Sequence, residues 1–82
     1  MKGVKKGMDS NLLKGTLMIN GYSVSKLVDE MEENGVKISK SSFYKKLREE
    51  NEFTAREIKT ITEIIGLSQD EVYSIFFKEL VS

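Results

Sequence analysis

The chain contains no cysteine and no histidine. Without cysteine there is no disulfide framework and no thiolate metal site. Without histidine the commonest metal ligand and general base is missing. No apolar run approaches the roughly 18–20 residues of a membrane span, and no signal-peptide core is visible. A cytoplasmic protein is expected. There is no nucleotide-binding glycine loop and no EF-hand loop, and the carboxylates read as solvated helix faces or caps. An enzyme, a cofactor and a bound metal are not expected, and no small-molecule ligand is evident. Net charge is lacking too. The 13 Lys+Arg balance the 13 Asp+Glu, so bulk electrostatics point to no partner.

The distribution of that charge is uneven. Between Val36 and Arg48 stand five basic residues, Lys37, Lys40, Lys45, Lys46 and Arg48, and no acid. Four acids precede this run between Asp29 and Glu33, and Glu49, Glu50 and Glu52 follow it. A local cationic patch on a neutral protein is a usable phosphate-binding feature. The plainer reading is a solvated helix face balanced by its neighbours. Helical geometry favours the first. With Ser39 as N-cap, a turn of roughly 100° per residue puts Phe43 and Leu47 on one face. Ser41, Tyr44, Lys45 and Arg48 fall opposite, at i, i+3, i+4 and i+7. Hydroxyls, a phenol and cations suit base edges and phosphates in a major groove.

The segment ISKSSFYKKL, Ile38 to Leu47, resembles the recognition helix of the Xre family, the phage-repressor and Cro-like helix-turn-helix proteins. YSVSKLVDEM, Tyr22 to Met31, is similar to the first helix of that motif. EFTAREIKTITEIIGLSQDEV, Glu52 to Val72, resembles the helix that follows, with its Gly-Leu-Ser break. The resemblance covers roughly Leu12 to Phe77. It implies an all-α, compact five-helix domain of lambda-repressor-like type that binds double-stranded DNA. Its implied role is transcriptional regulation, as a phage or bacterial repressor or activator. The DNA-contacting set implied is Lys37, Lys40, Ser41, Ser42, Tyr44, Lys45, Lys46 and Arg48. The chain departs from the family at four places. The connection between helices 2 and 3 is longer, so either helix 2 gains a turn or a true loop intervenes. Val24 replaces a usual phosphate-contacting glutamine, and Val28 a small alanine. Glu49 stands where a glycine often ends the recognition helix, so helix 3 is expected to run longer, with Glu49 and Glu50 facing away from the duplex.

In chain order, residues 1–8, MKGVKKGM, read as a flexible basic arm or a plain tail, and 9–82 as the domain, which Met8 could also begin. Helix 1 is expected from Ser10 to Asn20, with Leu13 and Leu17 inward and Asn20-Gly21 as its stop. Helix 2 follows Ser23 as N-cap, with Val24, Leu27, Val28 and Met31 as its apolar stripe. Thr54-Ala55-Arg56-Glu57 is a capping box with Phe53 as a staple residue, and opens helix 4. Ile58, Ile61, Ile64 and Ile65 are its expected buried stripe, and Gly66 its stop. Ser68 to Glu71 is a second capping box, opening helix 5. There Val72, Ile75 and Phe76 form one stripe, and Tyr73, Phe77 and Leu80 another. The second stripe is either further core or a homodimer contact. A fold alone does not fix a function. A protein–protein interaction module on the same scaffold is the competing reading, favoured by zero net charge and the long connection. RNA binding has only Tyr44 as a stacking group.

Overall fold

A computed structural model describes residues 8–77. The described residues form five helices and no strand: α1 (Ser10–Ile19), α2 (Val24–Glu33), α3 (Lys40–Leu47), α4 (Ala55–Ile65) and α5 (Gln69–Phe76). The protein is a small all-α domain. Each helix begins on a polar cap whose side chain accepts a first-turn backbone N–H: Asp9, Ser23, Ser39, Thr54 and Ser68. Both expected capping boxes form, Thr54 with Glu57 and Ser68 with Glu71. Such caps satisfy backbone donors that the helix itself leaves free, and each is worth about 1 kcal/mol.

The helix ends are equally local. After α1, Gly21 takes φ 76°, its N–H donates to the Met18 carbonyl, and Tyr22 N–H donates to Leu17. After α2, Gly35 takes φ 88° and the same pair of bonds reaches Glu32 and Met31. This is the Schellman stop, which needs a left-handed residue just past the helix. After α3 the same motif recurs without glycine. Glu49 takes φ 65°, its N–H donates to Lys46 at 3.0 Å, and Glu50 N–H donates to Lys45 at 2.9 Å. The expected longer helix 3 is therefore corrected: α3 stops at Leu47 because two side-by-side backbone bonds close it. The glutamate bears the cost of a conformation disfavoured for residues with a Cβ.

The core joins all five helices. Leu13, Leu17, Leu27, Met31, Phe43, Leu47, Ile61 and Ile75 are almost wholly buried. α2 packs against α3 and α4, and α1 against α5. Phe53, between α3 and α4, sets its ring edge-on to Phe43 and to Phe76, with centroids 5.3 and 5.6 Å away. Edge-to-face pairs of this kind add stability beyond area burial. In α4 the expected isoleucine row is only partly right. Ile61 is buried, Ile58, Ile64 and Ile65 are half-buried, and the other fully covered positions are Glu57 and Thr60.

The connection between α2 and α3, residues 34–39, is a true loop. α2 continues only two residues past Met31. Val36 and Ile38 are buried while Lys37 between them is exposed, the alternation of an extended segment lying on a core. Arg56 of α4 reaches the Gly35 carbonyl at 3.3 Å and ties the loop from outside. Met8 is half-buried against the core. Residues 1–7 of the expected arm lie outside the described residues.

Glu49→Gly should stabilise the domain. Removing the left-handed penalty outweighs the added freedom of an unfolded glycine by about 0.5–1 kcal/mol. Thermal unfolding should then shift upward by a few degrees, at roughly 4–8 °C per kcal/mol. A fall in melting temperature would mean that the Glu49 side chain contributes more than its backbone costs.

Candidate nucleic-acid interface

α3 has the sequence KSSFYKKL, with no acid in it. Phe43 and Leu47 point into the core and fix the helix about its own axis. That rotation leaves Lys40, Ser41, Tyr44 and Lys45 exposed, with Arg48 exposed at its end and Lys37 exposed on the preceding loop. Tyr44 keeps 46% of its surface in water. Ser42 is half-buried, and its backbone N–H serves the Ser39 cap at 3.0 Å. The exposed set offers hydroxyls, a phenol, ammonium groups and one guanidinium on a single helix and its flanks. Their chemistry is hydrogen-bond donation and positive charge.

Lys46 is placed elsewhere. Its Nζ lies 2.6 and 2.7 Å from the two carboxylate oxygens of Glu57 on α4. Only 14% of the Lys46 side chain and 11% of the Glu57 side chain remain exposed. Lys46 therefore does not share the exposed surface on which it was expected. Its position carries a signal for this, since it sits about 60° from Phe43 on the helical wheel, on the shoulder of the buried face. Its ammonium also lies 5.9 Å from the Phe53 ring centroid. Glu57 is doubly used, because one of its oxygens accepts the Thr54 N–H of the capping box at 2.9 Å. The capping box was legible in the sequence; the second role of Glu57 was not.

A further tie acts at the same C-terminal end of α3. The Ser10 hydroxyl donates to the Leu47 carbonyl at 2.5 Å. That carbonyl belongs to the last turn, where no intrahelical partner exists. Ser10 belongs to α1, whose cap Asp9 donates its backbone N–H to Ile75 of α5 at 2.7 Å. Side chains of α1 and α4 thus hold α3 from two sides, and neither Ser10 nor Glu57 was expected to serve it.

Arg48 and Glu50 form an exposed pair, Nε to Oε2 at 2.8 Å, with 58% and 52% of their side chains in water. The Arg48 hydrogen bond, and then its charge, hold the Glu50 carboxyl below its ordinary range, with a smaller push from Lys45. Glu50 lies against the cationic end of α3. Elsewhere, Tyr22 donates to Glu30 at 2.8 Å, and this bond raises the phenol's pKa. The Lys26 ammonium lies 4.7 Å from the Tyr22 ring centroid.

On α5, Ile75 and Phe76 are buried and Val72 is half-buried. In the second stripe Tyr73 is 42% exposed and Phe77 half-buried, their ring centroids 5.8 Å apart. Leu80 lies outside the described residues. Both rings line a shallow groove with Ile58, Thr62 and Leu67. Among the described residues no helix is long and apolar enough to cross a membrane. Comparison with known protein-family models, curated proteins and solved structures finds no match for this chain.

Breaking the Lys46–Glu57 pair should cost far more than breaking a surface pair. Glu57→Ala strands a covered ammonium and removes the acceptor of the Thr54 N–H, for about 3–5 kcal/mol. Lys46→Met should cost less, because the aliphatic stem is kept and Glu57 retains its cap bond. Urea denaturation of both variants tests the order. An equal or smaller loss for Glu57→Ala would contradict the double role of Glu57.

Proposed function

We propose that the domain binds double-stranded DNA in a sequence-dependent way, with α3 in the major groove, as a transcriptional regulator of phage or bacterial type. The observation that carries this reading is the exposed face of α3. Lys40, Ser41, Tyr44 and Lys45 share it, and the helix is braced from behind by Phe43, Leu47, Lys46 and the Ser10 bond. A recognition helix needs such bracing, because base contacts require fixed positions. The order of five helices and the Ile38–Leu47 segment, which resemble the Xre family, support it further. Ser41 and Tyr44 contact base edges, and Lys45 contacts a base edge and the phosphate beside it. Lys37, Lys40 and Arg48 contact phosphate, and Ser42 adds a contact only at its accessible edge. Lys46 has no part in it. The protein acts in the cytoplasm.

The Tyr73–Phe77 stripe supplies the contact for a second copy. A dimer would place two α3 helices for half-sites about one DNA turn apart. One observation favours the competing role of protein-interaction module. Met18 and Ile19, at the end of α1, are 77% and 86% exposed. Large apolar side chains in water at that level are a feature of partner surfaces.

Fluorescence anisotropy with duplex DNA of random sequence, at about 50 and 200 mM salt, separates the two roles. With the Arg48 guanidinium engaged by Glu50, three phosphate contacts from Lys37, Lys40 and Lys45 at a slope of about −0.9 each predict a loss of roughly 40-fold in affinity over that fourfold rise in salt. Lys45→Ala or Lys40→Ala should weaken binding and flatten the slope by about one contact. Tyr44→Ala should cost about 1–3 kcal/mol on a selected site and relax preference at one position. Lys46→Met should leave the slope unchanged. Absence of binding at low salt would sink the DNA reading.

A further inference from the structure

The residue that matters here is Glu50, and the inference rests on the DNA-binding reading above. The left-handed turn at Glu49 folds the chain back beneath the last turn of α3. The Glu50 N–H to Lys45 carbonyl bond, 2.9 Å, fixes that return. The Glu50 carboxylate therefore sits where it accepts the Arg48 Nε–H at 2.8 Å. A carboxylate placed this way takes one donor of the guanidinium, Nε–H, and sets a negative charge beside the edge that a phosphate would use. It is held in the charged form by Arg48 and, less strongly, by Lys45. Arg48 is the one arginine of the cationic set, and hence its one bidentate phosphate ligand.

We propose that Glu50 is an internal competitor for the phosphate that Arg48 would bind, a brake on affinity for DNA of any sequence. It is a positioning residue, acting through Arg48 rather than on the duplex. The pair is more than half exposed on both sides. Exposed pairs change an equilibrium constant by about fivefold at most. The brake is accordingly light. A phosphate in good geometry can displace Glu50, while a poorly placed one does not.

The test compares Glu50→Gln with the wild type on random duplex DNA across a salt series. Release of Arg48 should raise affinity about three- to fivefold at low salt and steepen the salt slope by about 0.9, the mark of one added phosphate contact. The melting temperature should hardly move, which shows that folded proteins are being compared. Glu50→Gln should do almost nothing in an Arg48→Gln background. Glu52→Gln, an exposed acid of the same connection with no bond to Arg48, should leave the slope as it is. Binding with an unchanged slope in Glu50→Gln overturns the brake and leaves the DNA reading standing. So does an equal gain in the Arg48→Gln background or in Glu52→Gln. Failure of both wild type and Glu50→Gln to bind at low salt overturns both proposals, because one carboxylate cannot cancel every lysine on the face.

Discussion

The ammonium of Lys46 and the carboxylate of Glu57 meet at 2.6 and 2.7 Å with little water around either. An ion pair this sheltered is not chiefly a source of stability, because desolvating two charges offsets most of their attraction. Its consequence is geometric. An apolar side chain at position 46 could slide along α4, whereas a lysine held by both oxygens of one carboxylate has a single seat. Glu57 is itself fixed at the first turn of α4 by the Thr54 cap. The cap of one helix thereby sets the roll of its neighbour, and the exposed residues of α3 inherit their direction from it. Phe53 closes the same corner, set against Phe43, Phe76 and the Lys46 ammonium.

Much of this fold is legible in the sequence because its rules are local. Ser23, Ser39, Thr54 and Ser68 cap helices by bonding to backbone three residues away, and each is recognisable from its own short window. Gly21, Gly35 and Gly66 stop helices for an equally local reason. Leu13, Leu17, Leu27, Met31 and Phe43 fall on buried faces because periodicity alone fixes them. Where a local rule had no glycine to act on, it failed. The chain after Leu47 makes the same two bonds as the other stops, but with a glutamate in the left-handed seat. The length of the α2–α3 connection is legible and leaves two readings, a longer α2 or a true loop, with no local signal to choose between them. Val36 and Ile38 alternate with Lys37, a period of two too short to stand out between helices.

The face of α3 was legible in part. Lys37, Lys40, Ser41, Tyr44, Lys45 and Arg48 are exposed, as a helical wheel requires. Charge alone counts Lys46 as outward, although the wheel sets it on the shoulder of the buried face. What corrects it is a carboxylate eleven residues away that satisfies a second demand, and no periodicity contains that. The same limit applied to α4. Its isoleucines suggested a wholly apolar seam, whereas its N-terminal half buries Glu57, bound to Lys46 of α3, and Thr60. The direction of Glu50 follows in part from the left-handed turn at Glu49, which no glycine announces.

The bond from Ser10 to the Leu47 carbonyl, with that from Asp9 to Ile75, has a bearing on the order of assembly. α1 leaves the ribosome long before either of its partners. It can hold α3 only after α3 exists, and is itself latched only once α5 has been made. The outward surface of α3 is thus a product of the completed chain rather than of the helix that displays it. Closing such distant contacts is entropically expensive first and rewarded late, so assembly is expected to be cooperative, with the surface appearing as the whole domain does. A nascent or partly opened chain would carry the same lysines but no ordered array of them.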